Sequence, residues 1–273
     1  MRPRVFLVGA GPGDPELLTV KALKILGAAR VVLHDSLVSP AILDLAPRTA
    51  LRLDVGKRCG RHSAPQAEIN RLLVAHARSG AVTVRLKGGD PLIFGRAGEE
   101  MQALEAHGIA YEIVPGITAA AAAAATLRLP LTRRGCGRSV HFLTGHGAVD
   151  GLPAHDWAAL ARAGGTLAVY MGRETVVGLT AHLIEAGLPA GLPPIAIENV
   201  SLAGERRFGA TLASLPGALR AAAGSGPLLI LIGEALHDPS GPGMPEHAEA
   251  MRIAPMQAAA TCVRRGEACT REG

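Results

Sequence analysis

The amino-acid sequence predicts an α/β protein of two α/β domains, with a mainly parallel N-terminal sheet and a mixed C-terminal sheet. Three observations carry this. From residue 4 to 114, short β-rich runs alternate with segments of helical period, and strands separated by helices of that length make parallel sheets. At Pro115-Gly116 a breaker pair is followed by the alanine run Ala119–Ala125, after which strand-like runs resume. Between Glu198 and Ile232 fewer helical segments separate the strands, so part of the second sheet is expected to be antiparallel. The predicted domains are residues 1–115 and 116–236, followed by a tail at 237–273.

Taken in order, Arg4–Gly9 reads as a strand because it is apolar and ends in glycine, and Glu16–Ala28 reads as a helix behind Asp14 and Pro15, residue types that start helices. Arg30–His34 is a strand, Pro40–Ala46 a short helix and Ala50–Val55 a strand. Pro65–Arg78 has apolar residues at Ile69, Leu72, Leu73 and Ala77, a helical spacing. Ala81–Leu86 is a strand, Ala97–His107 a helix and Ala110–Val114 a strand. Beyond the hinge, strands are expected at Ser139–Thr144, Thr166–Tyr170, Pro194–Glu198, Arg207–Thr211 and Leu228–Ile232. From His237 onward the periodicity fades and Pro, Gly and charge dominate, the composition of a disordered tail.

Of 273 residues, 48% are hydrophobic but only 3% aromatic, so the core must be built from Ala, Val, Leu and Ile. The 34 Gly and 19 Pro supply more turn chemistry than a helical bundle needs. No apolar run reaches the roughly 20 residues of a membrane span. The start, MRPRVFLVGAGPGDP, meets a glycine turn and charge too early for a signal peptide. A cytoplasmic protein without membrane association is expected. Cys59, Cys136, Cys262 and Cys269 form no C-x-x-C pair, so free thiols are expected rather than a metal site. A net charge of +5 favours anionic partners. Nucleic acid is not expected, because its aromatic stacking platforms are nearly absent; a polycarboxylate or phosphate suits the charge as well.

The stretch VFLVGAGPGDPELLTVKAL, Val5 to Leu23, joins strand, glycine turn and helix, the ingredients of a dinucleotide fingerprint. Gly9, Gly11 and Gly13 alternate, however, and Asp14 stands where the third glycine of G-x-G-x-x-G belongs. A carboxylate there would repel a pyrophosphate, and Pro15 offers no N–H. Asp35, about 20 residues on, agrees with a ribose-binding acid. Close backbone approach to some ligand is the expected reason for three glycines. A second glycine turn, RLKGGDPLIFGRAGEE from Arg85 to Glu100, repeats the Gly-Asp-Pro ending. In an open α/β sheet, ligands bind beyond the carboxyl ends of the strands. Both turns, Asp35 and the basic segment VGKRCGRHS (Val55–Ser63) would then line one rim.

In this order and spacing, VFLVGAGPGDPELLTVKAL, VVLHDSLVSP, VGKRCGRHSAPQAEIN, RLKGGDPLIFGRAGEE and VPGITAA resemble the tetrapyrrole methylase family, and within it the uroporphyrinogen-III C-methyltransferases. The similarity continues through PLTRR, SVHFLTGH and YMG to GPLLILIGEAL, roughly residues 4 to 236. It implies a cleft between two α/β domains that holds folded S-adenosylmethionine, leaving S-adenosylhomocysteine as product. It also implies uroporphyrinogen III as substrate, methylated on rings A and B to precorrin-2 for sirohaem, cobalamin or haem d1, and a stand-alone homodimer. Pro12, Gly88, Gly89, Asp90, Ile93, Thr118, Ala119, Met171 and Val200 are the implied cofactor contacts. Asp35 is the implied base and Lys57 the implied proton donor. Arg58 and Arg61 meet substrate carboxylates.

The chain departs from that family pattern at several positions. His34 stands for the usual tyrosine before Asp35, Arg128 for a glycine after the alanine run, and Arg133 for a histidine. Thr126 follows an all-alanine stretch, Glu198-Asn199-Val200-Ser201 replaces ENGT, and Leu228 replaces an alanine. These changes bear on the pocket wall.

Overall fold

The computed structural model describes residues 4–56, 65–147 and 151–237. Lys57, Arg58, Cys59 and Arg61, Cys262 and Cys269, and the tail from 238 onward lie outside the described residues. The first half of the chain runs β1 (Val5–Gly9), α1 (Val20–Gly27), β2 (Val31–His34), α2 (Pro40–Leu43), β3 (Leu51–Asp54), α3 (Gln66–Arg78), β4 (Thr83–Lys87), α4 (Ala97–Ala106) and β5 (Tyr111–Val114). Its five strands form one parallel sheet of order β3-β2-β4-β1-β5. Side chains alternate across a strand, so β1 feeds two cores. Val5 and Leu7 pack with Ile69 and Leu73 of α3 and Leu104 of α4, while Val8 packs with Ala22 and Leu26 of α1 and Ile42 of α2.

The second half runs α5 (Ala119–Leu127), β6 (Val140–Thr144), α6 (Trp157–Ala163), β7 (Thr166–Tyr170), α7 (Val176–Glu185), β8 (Ile195–Glu198), β9 (Arg206–Gly209), α8 (Leu215–Ala221) and β10 (Leu228–Ile232). The sheet order is β6-β7-β10-β8-β9. Only β6 and β7 are parallel; β10 is antiparallel to β7 and β8, and β9 to β8. The antiparallel part thus falls where sparse helices predicted it. Leu228–Ile232 is apolar throughout because both its faces are covered. Leu228, Ile230 and Ile232 pack with α7 and α8, whereas Leu229 and Leu231 pack under α5. Ala120, Ala122 and Ala123 let α5 lie close on that face.

Two predicted elements need correction. The expected helix Glu16–Ala28 is split into a 3-10 turn, Pro15–Leu17, and α1. Asp14 caps only the turn, and Thr19 caps α1 through a bond from Ala22 N to its Oγ1 at 3.1 Å. The expected strand Arg207–Thr211 begins and ends earlier, because Thr211 and Ser214 exchange side-chain and backbone bonds ahead of α8. No helix among the described residues is long and apolar enough to cross a membrane.

Candidate active site

The carboxyl ends of β1, β2, β4 and β5 lie at one rim of the parallel sheet, and their loops are tied to one another. Gly11 and Gly89 exchange backbone bonds, Gly11 N to Gly89 O at 3.1 Å and Gly89 N to Gly11 O at 2.7 Å. A Cβ on Gly9 would lie 2.5 Å from Gly116 N and 2.7 Å from Gly89 O. Gly11 has φ +71°, and a Cβ on Gly13 would enter the Leu202 side chain. The three alternating glycines therefore answer to chain-on-chain approach and backbone shape in this structure. Gly89 is different: it has φ +68° and open space where its Cβ would stand.

The rim carboxylates hold these loops. Asp35 accepts from Gly88 N at 3.1 Å and from Leu37 N at 3.0 Å, which joins the end of β2 to the turn after β4. Asp90 accepts from Leu92 N at 2.8 Å and from Gly116 N at 3.0 Å, joining that turn to the loop after β5. His34 is buried, with Nδ1 3.1 Å from Asp35 O. In the first loop Asp14 Oδ1 accepts from Glu16 N at 2.9 Å, and Leu17 N bonds Asp14 O. The donors a pyrophosphate needs are engaged by Asp14 itself, and Pro15 has none. The dinucleotide alternative has no cradle in this loop.

Beneath the rim, Arg85 Nε and Lys87 Nζ both donate to Glu100 Oε1 at 2.9 Å, all three side chains being buried. Glu100 Oε2 is buried with no hydrogen-bond partner among the described residues. Burial, with the Arg85 charge second, holds the Lys87 ammonium below the usual lysine range, partly offset by Glu100 and Asp35.

Loops of the second sheet meet this rim. The hydroxyls of Tyr170, at the end of β7, and Thr118 are hydrogen-bonded, and Ala120 N donates to the Tyr170 oxygen at 3.3 Å. Burial raises the Tyr170 phenol above its usual value, so it remains protonated. Its ring stands 5.2 Å from Phe94, on the turn after β4, and 6.0 Å from Phe142. Met171 follows with φ 55° and its side chain 48% exposed. After β8, Asn199 (φ 56°) and Ser201 (φ 63°) are left-handed while Val200 between them is not, so a β-branched residue is tolerated where the family pattern has glycine. Asp14 N donates to Ser201 Oγ at 3.3 Å, closing the second sheet's loop onto the first glycine turn.

Of the predicted site residues, Pro12, Asp35, Gly88, Gly89, Asp90, Ile93, Thr118, Ala119 and Met171 stand on these joined loops. Val200 is also on them, but its side chain is buried in the core under α5. Sequence reasoning missed Tyr170 and Phe94 as links between loops. The available signal was scarcity: the chain has only 4 Phe and 2 Tyr, and three of the six meet here.

Two five-stranded sheets, one parallel and one mixed, joined by strand-end loops around an open glycine, place the chain in the α/β class whose ligands bind beyond the strand ends. The model of the tetrapyrrole (corrin/porphyrin) methylases matches residues 4–216, and the chain belongs to that family. It is 47% identical over 230 residues to a uroporphyrinogen-III C-methyltransferase of Paracoccus denitrificans, covering 84% of this chain and 80% of that protein. It is also 47% identical over 230 residues to a siroheme synthase of Gluconacetobacter diazotrophicus. That match takes in 84% of this chain but only 49% of the synthase, so the chain spans about half the length of such relatives. The crystal structure of a uroporphyrin-III C-methyl transferase of Thermus thermophilus complexed with S-adenosylhomocysteine superposes with a TM-score of 0.74 at 40% identity, covering 86% of this chain and 93% of that one.

Proposed function

We propose that this chain is an S-adenosylmethionine-dependent C-methyltransferase acting in the cytoplasm on uroporphyrinogen III, giving precorrin-2 for sirohaem, cobalamin or haem d1 formation. The observation that carries the reading is the junction of four strand-end loops of the parallel sheet with the Tyr170-Met171 corner, in a chain of this family. The local chemistry fits the cofactor. Asp14, Asp35 and Asp90 put carboxylates at the rim, which a cationic sulfonium tolerates and a phosphate does not. The open side of Gly89 admits close backbone approach. Exposed Phe94 and Met171 offer soft apolar surface for an adenosyl group. Pro12, Gly88, Gly89, Asp90, Ile93, Thr118, Ala119, Met171 and Val200 are the residues or backbone segments proposed to hold it. When bound, S-adenosylmethionine supplies the electrophilic methyl group.

The chain's own part is orientation and proton movement. The bonds that Asp35 and Asp90 accept from Gly88, Leu37, Leu92 and Gly116 fix the loops, and holding two reactants in line is the main source of acceleration proposed here. Methylation at a pyrrole carbon releases a proton, for which Asp35 is the proposed base. Lys57 is the proposed proton donor, with Arg58 and Arg61 meeting the substrate's carboxylates. The test is anaerobic incubation with uroporphyrinogen III and labelled S-adenosylmethionine. Two labelled methyl groups per macrocycle are expected; unmodified uroporphyrinogen III, with label entering a later corrin supplied in a parallel incubation, would move the substrate assignment elsewhere in the family.

A further inference from the structure

We propose that Glu198 and Arg173 form a brace that positions the two strand-end turns carrying Met171 and Val200, and so governs affinity for the cofactor. This rests on the S-adenosylmethionine reading above. Glu198, the last residue of β8, is 1% exposed, and its carboxylate is fully engaged. Oε1 accepts from Arg173 Nη2 at 2.6 Å and from Gly226 N at 2.8 Å, and Oε2 accepts from Arg206 Nε at 2.6 Å and from Arg206 Nη2. Burial alone would raise the Glu198 carboxyl, but the Arg206 and Gly226 bonds and both arginine charges outweigh it and hold it below the usual carboxylate range.

The placement of the partners gives the cluster its role. Arg173 lies two residues beyond Met171, and Glu198 two residues before Val200. Both turns contain left-handed non-glycine residues, Met171 in one and Asn199 and Ser201 in the other. Such backbone persists only where its surroundings over-determine it. Arg173 Nε is buried without a partner among the described residues, so the bond to Glu198 is what fixes the guanidinium. From Glu198 the restraint passes along the turn. Leu202 N bonds Asn199 O at 3.0 Å, Ser201 N bonds Glu205 Oε2 at 2.9 Å, and Ser201 Oγ accepts from Asp14 N. Arg206 shares the carboxylate but belongs to edge strand β9, and its other side-chain bond goes to Ala222 O at the C-cap of α8. Arg206 thus grips the carboxylate with two bonds to the one from Arg173, yet only Arg173 leads along the chain to Met171.

That asymmetry supplies the experiment. S-adenosylhomocysteine binding is measured by calorimetry on the full chain for wild type, Arg173→Met, Arg173→Lys and Arg206→Met, with a thermal melt of each. The brace predicts that Arg173→Met weakens binding about tenfold, about 1.4 kcal/mol. Arg173→Lys should recover part of that loss by restoring the charge, and Arg206→Met should stay within about twofold of wild type although it melts lower. In turnover, Arg173→Met should raise the KM for S-adenosylmethionine with little change in kcat at saturation. If Arg173→Met does not fold, the same split is read between Arg173→Lys and Arg206→Met. Equal affinity of wild type and the Arg173 variants, or an equal loss in Arg206→Met, overturns the brace alone. Wild-type protein that binds no S-adenosylhomocysteine overturns the cofactor reading and the brace with it.

Discussion

Asp35 carries structure as well as proposed chemistry, and the two separate in one variant. In Asp35→Asn the amide oxygen can still accept from Leu37 N, but an NH2 group then faces Gly88 N where Oδ2 accepted. A stability loss of about 1–3 kcal/mol follows from the unsatisfied donor. Removal of a general base lowers turnover by about 10²–10⁴-fold. The expected outcome is intact S-adenosylhomocysteine binding, a modestly lower melting temperature and nearly complete loss of turnover; near-normal turnover would remove the base role. Asp35 and Asp90 were legible as candidates through the family resemblance, which both strand-end positions beside glycine turns support. Their partners were not, since Gly88 is 53 residues from Asp35 and Gly116 is 26 from Asp90. Those pairings depend on β4 lying between β2 and β1, an order that no local pattern encodes. The same blindness hid the Arg85–Lys87–Glu100 cluster, where two cations share one carboxylate oxygen. Glu100→Gln leaves both cations buried without a counter-charge and should cost about 3–5 kcal/mol, whereas Lys87→Met leaves the Arg85 pair whole and should be neutral or stabilising. Because burial depresses the Lys87 ammonium in the folded chain, the unfolded chain holds more protons between that depressed value and the usual lysine value of about 10.4. Stability therefore rises with pH across that alkaline window and is lost as pH falls through it. Melting temperatures against pH should show a shallower alkaline rise in Lys87→Met than in wild type.

The helix α5 shows what an element's sequence does and does not disclose. Its alanines predicted a helix, and the structure extends it through Leu127. The departure from glycine at residue 128 then acquires a physical meaning. Arg128 is the C-cap, with φ 56° and ψ 36°, its N–H bonded to the carbonyls of Ala124 and Ala125. A left-handed non-glycine residue costs about 1–2 kcal/mol, offset in part by the greater chain entropy a glycine loses on folding. Arg128→Gly should therefore raise stability by about 1 kcal/mol, a shift of about 2–4 °C for a chain of this size. A melting temperature unchanged or lowered would show that the Arg128 side chain makes a compensating contact. The first helix gives the contrary lesson. Asp14-Pro15 is good starting chemistry, and it does start a helical turn. The chain nevertheless stops and restarts, because Thr19 offers a second cap four residues before Leu23. Two caps in succession read as one helix when only periodicity is followed.

At the scale of the whole molecule, the alanine helix bears on assembly. Ala120, Ala122 and Ala123 are occupied within the chain, packed against Ala168, Ile197 and Leu229, so this helix contributes a close intramolecular contact. The apolar side chains left exposed on the outer elements are aliphatic: Val20 and Leu23 on α1, Leu45 and Leu51 around β3, and Val177 on α7. The exposed aromatic rings, Phe94 and Phe142, sit instead beside Tyr170 at the proposed site. An interface built without aromatic anchors has to be broad, and stable ones bury about 800 Å² on each partner. We predict a two-fold symmetric homodimer, the commonest closed symmetry, with an aliphatic centre. Salt screens exposed charge pairs but leaves apolar burial intact, so the dimer should persist in molar salt. Sedimentation equilibrium at micromolar protein, with and without molar salt, measures this directly. A chain that sediments as a monomer under both conditions while retaining full methyl transfer would show that one copy suffices for the site.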